Sequence, residues 1–71
     1  MSQGSKGHHL PNLKAQRVIA ALSVSELARK SNTSDVLVKG LEDGGNCEPN
    51  ESQRIADALG VSLVTLGQRT L

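Results

Sequence analysis

Val24 to Glu42 reads VSELARKSNTSDVLVKGLE, and this stretch decides the fold. Leu27 and Ala28 give its first half an apolar helical face, and Ser31 continues that face at helical spacing. Asn32 falls where a turn is needed. Asn enters the left-handed backbone region more readily than most non-glycine residues. Thr33 and Ser34 follow, and either suits the N-cap of a second helix. Leu37, Val38 and Leu41 then fall on one inward face of that helix. The small Ala28 lets the second helix cross close over the first. The pattern is that of two short helices joined by a tight turn, a helix-turn-helix.

Working outward toward the N-terminus, Ser23 with Glu26 has the spacing of a capping box at the start of the first of these helices. Before it, Ala15, Val18, Ile19 and Leu22 fall at i, i+3, i+4 and i+7, an amphipathic stripe expected to face inward. Lys14, Gln16 and Arg17 lie off that stripe. Asn12, after Pro11, is the expected N-cap. Residues 1–11 are Ser-, Gly-, Lys- and His-rich and without periodicity, so they read as a disordered arm, native or a cloning remnant. His8 and His9 are adjacent, point apart in any regular element, and do not form a chelating pair.

Toward the C-terminus, Gly40 inside a helix implies close packing or an approaching helix end. Asp43-Gly44-Gly45-Asn46 supplies the stop. Pro49 suits the first turn of another helix. Ser52, Ile55, Ala56 and Leu59 form its inward stripe, and Gly60 ends it. Ser62 caps a short last helix with Leu63 and Leu66 turned inward. The reading is an all-α domain of five helices near 13–22, 24–31, 34–43, 50–59 and 62–67, spanning 12–71. Leu27, Ala28, Val38, Leu41, Ile55 and Leu59 are its expected core.

Composition sets limits on function. The 71 residues make one small domain, with no Phe, Tyr or Trp. The core is therefore aliphatic, and aromatic platforms for single-stranded nucleic acid are missing. The longest apolar run, Val18 to Leu22, is far too short for a membrane span. The N-terminus lacks the apolar core of a signal peptide. The single Cys47 cannot form an internal disulfide, which fits a reducing cytoplasm. Cys47 has no neighbouring base, and no His, Cys, Ser or carboxylate constellation has catalytic or metal-binding spacing, so neither an enzyme nor a cofactor is expected. Net charge is only +1, yet residues 1–41 carry +4 and residues 42–71 carry −3. Such a layout turns one half toward a polyanion.

Several pieces together resemble the lambda-repressor/Cro family of helix-turn-helix domains, also called the XRE family. They are Leu22-Ser23 with Glu26-Leu27-Ala28, the segment Ala28 to Ser34, Leu41-Glu42-Asp43-Gly44, and Ala58-Leu59-Gly60-Val61-Ser62 with Leu66. The similarity covers roughly residues 13–66. It departs where the family often has Gln at the start of the second helix, here Val24. It departs also at the turn, Asn32 for Gly, at the first reading position, Asp35, and in the loop at Gly44 to Pro49.

The resemblance implies sequence-specific binding of double-stranded DNA by a small transcriptional regulator, with the third helix in the major groove. Thr33, Ser34, Asp35, Val36 and Lys39 then lie at the groove. Asp35 could accept from cytosine N4, and Val36 could meet a thymine methyl. Lys39 could reach guanine or phosphate, or pair with Asp35 on the helix surface. Amides around Val24, Ser25 and Glu26 would hold a phosphate, and Lys14, Arg17, Lys30 and Asn46 could touch the DNA backbone. A homodimer through the last helix and Leu63, Leu66 and Leu71 would supply two half-sites. Val24 and Asp35 favour the rival reading, a protein-interaction module that keeps the fold without DNA. No small-molecule substrate is expected.

Overall fold

The computed structural model describes residues 8–67 and the backbone of 69–70. The chain is mostly helical, with four helices among the described residues: α1 (Leu13–Ile19), α2 (Val24–Lys30), α3 (Asp35–Glu42) and α4 (Pro49–Leu59). Two short strands, β1 (His8–His9) and β2 (Arg69–Thr70), pair antiparallel, His8 opposite Thr70 and His9 opposite Arg69.

All four helices end the same way. The chain passes through one left-handed residue, at Ala21 (φ 60°), Asn32 (φ 57°), Gly44 (φ 102°) and Gly60 (φ 70°). In each case the next amide returns to a carbonyl five residues back: Leu22 to Arg17, Thr33 to Ala28, Gly45 to Gly40 and Val61 to Ala56. This satisfies carbonyls that a helix end leaves without partners. Glycine does this without steric cost, Asn with little, and Ala with more. At the starts, Ser23 and Glu26 form the expected capping box on α2. Ser34, rather than Thr33, caps α3 by accepting from the Leu37 amide at 3.1 Å. Pro49 opens α4. Asn12 occupies the N-cap position of α1 but makes no cap bond; its side chain donates to the Thr65 carbonyl instead.

The core is Leu10, Leu13, Leu27, Ala28, Val38, Leu41, Cys47, Ile55, Ala56 and Leu66. Leu22, Val24, Leu37, Leu59 and Leu63 pack against it, half-buried. Five of the six expected core residues are thus fully buried, and Leu59 is partly so.

Four expectations are corrected. The first helix stops at Ile19, three residues early, because Ala21 turns the chain. Its stripe is not the inward one: Ala15 is exposed, Val18 is 60% exposed and Ile19 75% exposed. The inward face is Leu13 and Arg17, one helical turn apart, and Leu22 reaches the core from beyond the helix. Among the described residues no fifth helix forms: residues 63–67 are turns, with Ser62 accepting from the Thr65 amide. Leu66 is fully buried and Leu63 packs on the core, so both contribute to the interior of the single chain. Leu71 lies outside the described residues. The arm is not all disordered, and the chain is not purely helical. Leu10 is buried, and the His8 amide and carbonyl both pair with Cys47, at 2.8 and 3.0 Å. Residues 1–7 lie outside the described residues.

Gly40 is exposed, and a methyl added there would meet nothing. The close approach belongs to Gly45, whose added Cβ would come within 2.9 Å of the Gly40 carbonyl oxygen.

Candidate nucleic-acid interface

The outer face of α3 and the start of α2 form one open groove, lined by Val24, Ser25, Asp35, Val36, Lys39, Gly40 and Asp43. Its origin is helical periodicity. Val38 and Leu41 face the core, so residues 35, 36, 39, 40 and 43 are left facing out. Val36 is 82% exposed, a large apolar side chain held in solvent.

Two side-chain bonds fix this surface. The Ser25 hydroxyl donates to Asp35 Oδ2, tying the first turn of α2 to the first residue of α3. Asp35 is therefore not paired with Lys39. Among the described residues Lys39 makes no hydrogen bond or ion pair, so its ammonium is free. The second tie is Arg17 to Glu42. Arg17 Nε and Nη2 donate to the two carboxylate oxygens, the latter at 3.1 Å, and Nη1 donates to the Leu22 carbonyl at 2.8 Å. Their side chains are only 13% and 9% exposed. The hydrogen bonds it donates to Glu42, then the Glu42 charge, raise the Arg17 pKa, so the guanidinium stays charged. This bidentate pair locks α1 to the end of α3.

Of the residues singled out from sequence, Val24, Ser25, Asp35, Val36 and Lys39 come together in the groove. Ser34 is exposed beside it, its oxygen occupied by the Leu37 amide. Thr33 turns inward, its hydroxyl 2.8 Å from that of buried Ser31. Asn46 is exposed in the following loop but does not line the groove. Arg17, expected at the DNA backbone, has its guanidinium committed to Glu42 and Leu22. Lys14 is exposed on α1, and Lys30 lies with Arg54 and Asp57 near the other end of α2. Gly40 and Asp43 belong to the groove and were not singled out. Their spacing, four residues after Val36 and Lys39, carried the signal.

Glu26 receives the Ser23 amide, and that bond holds its carboxyl below the usual carboxylate range. An acid thus already occupies the amide-rich start of α2. Burial, with Glu51 and Glu48 nearby, pushes the Cys47 thiol up to about 11. Among the described residues no cluster of His, Cys, Asp and Glu could hold a metal ion. No described helix is long and apolar enough to cross a membrane.

Comparison with known proteins returns no matching family model, no matching curated protein and no matching solved structure.

Proposed function

We propose that this protein binds double-stranded DNA sequence-specifically, as a small transcriptional regulator with a lambda-repressor/Cro-like helix-turn-helix formed by α2 and α3. The observation that carries this reading is the α3 face. One side is sealed into the core by Val38 and Leu41, while Asp35, Val36 and Lys39 stand together, solvent-exposed, in an unobstructed groove shared with α2. An exposed helix with a free lysine, a carboxylate acceptor and an apolar tip has the group types that read base edges in a major groove. Lys39 contributes attraction to phosphate or guanine. Lys14 is a further candidate for the DNA backbone. Arg17 acts indirectly, by holding α3 against α1.

A second reading is favoured by charge. Asp35 and Asp43 outnumber Lys39 in the groove, which suits a protein partner better than a polyanion. Isotope-labelled protein titrated with random duplex DNA at low and high salt separates the two. Under the first reading, amide shifts gather on residues 24–26 and 33–40. Affinity falls steeply with salt from a loose ~10⁻⁴ to 10⁻⁶ M. No amide response to any duplex at low salt removes DNA and leaves the protein-interaction module.

A further inference from the structure

Resting on the DNA-binding reading, we infer that Asp35, oriented by Ser25, is a specificity determinant selecting cytosine in the major groove. An ionised carboxylate only accepts hydrogen bonds. It is repelled by the bare acceptors of guanine and of thymine O4, and it is satisfied by an exocyclic amino group, cytosine N4 or adenine N6. Asp35 does not rotate freely. Its Oδ2 takes the Ser25 hydroxyl proton, and Oδ1 has no partner among the described residues. One oxygen is therefore engaged by Ser25 and the other is left open at the exposed start of α3. Cytosine offers its amino donor beside an apolar C5–H edge. Adenine offers its amino donor beside the N7 acceptor, which faces the carboxylate unfavourably. Cytosine is the better partner for a single fixed acceptor.

The neighbouring side chains support a defined register. Val36 presents a bare apolar tip, 82% exposed, which suits a thymine methyl near that cytosine. Lys39 stands one turn further on and is not drawn onto Asp35, because Ser25 holds that carboxylate. Ser25 is thus a positioning residue. It acts through Asp35 without itself needing to touch a base.

The test is selection from a random duplex pool at low salt with the wild-type protein and the Asp35→Asn and Ser25→Ala variants. Anisotropy titrations of duplex pairs differing at one base follow. The wild type should enrich cytosine at one position and prefer it over each other base by about fivefold or more, the low end of one base-edge contact. Asp35→Asn carries both donor and acceptor, and should move the preference to adenine, whose N6 and N7 an amide matches. Ser25→Ala should blunt the cytosine ratio while leaving the salt dependence unchanged, an outcome that a general loss of folding would not give. Far-UV circular dichroism confirms that each variant is folded. If sequences are enriched but without cytosine, or Asp35→Asn leaves the consensus unmoved, this inference is overturned and DNA binding stands. If no duplex is enriched at all, the DNA-binding reading fails and takes the inference with it.

Discussion

Glu42→Gln is the substitution that most directly tests how α3 is held. It leaves the shape of the side chain nearly unchanged and removes its charge. Arg17 then faces one amide oxygen and one NH2 group where two carboxylate oxygens stood, while its bond to Leu22 remains. A hydrogen bond to a charged group contributes ~1.5–3 kcal/mol. Stripping the partner from a fully buried pair costs ~3–5 kcal/mol. The side chains here are 13% and 9% exposed, so some water can compensate. The expected loss is therefore roughly 2–3 kcal/mol. A domain of this size holds about 3–5 kcal/mol in total, so most of its stability would go. With no Phe, Tyr or Trp, fluorescence offers no probe. Urea unfolding followed by far-UV circular dichroism is the assay, and the midpoint should fall by about 1–3 M for a urea slope near 1–2 kcal/mol/M. Replacing both partners, Arg17→Met with Glu42→Leu, should recover much of the loss, since paired apolar residues avoid the desolvation cost. A midpoint shift worth under ~0.5 kcal/mol for Glu42→Gln would place the pair among screened surface bridges and refute the brace.

Other substitutions probe the remaining elements. Gly40→Ala should stabilise the fold by up to ~1 kcal/mol, because the new methyl meets nothing in the free protein. Yet it enters the groove and should weaken binding to duplex DNA, read by anisotropy beside the melting curve. Ala21→Gly should raise stability by roughly 0.5–1 kcal/mol by relieving an alanine held in the left-handed region; a lower melting temperature would contradict this. Leu13→Ala should cost ~2–5 kcal/mol, whereas Val18→Ser should stay within ~0.5 kcal/mol; the reverse order in urea would show the α1 register to be wrong. Cys47, with its thiol raised to about 11, should resist alkylation in the native state at pH 8 and react readily in urea. Its proton is bound more tightly in the fold, so its contribution to stability is intact below pH 9 and lost as pH rises toward 11.

The core of α2, α3 and α4 was legible because each signal there is local. Ser23 and Glu26, Ser34, Pro49 and Gly60 mark helix ends within a few residues of the positions they control. The inward stripes of α3 and α4 are long enough to have only one plausible face. The groove followed from the same periodicity, since burying Val38 and Leu41 leaves 35, 36 and 39 outside. The Ser25–Asp35 bond was not legible. The obvious partner for Asp35 was Lys39 at i+4, and a hydroxyl ten residues earlier becomes a neighbour only once the two helices cross.

The first helix shows why a correct period is not enough. Ala15, Val18, Ile19 and Leu22 keep helical spacing, yet three of the four face solvent and the fourth lies beyond the helix end. Two non-local facts decide the face. Arg17 looks like a surface cation until Glu42, 25 residues away, neutralises it; its stem can then lie against the core while its head is satisfied. Leu10 looks like part of a polar arm until the His8–Cys47 pairing pulls the chain across the domain and buries it. Leu10 and Leu13 share the core with Leu66, while Val18 and Ile19 stay in solvent. The helix stop was hidden for a related reason. Ala21 adopts the conformation that Asn32, Gly44 and Gly60 advertise by residue type, and alanine carries no such mark. Tertiary contacts impose the left-handed turn on it, and the sequence pays there in strain for delivering Leu22 to the core.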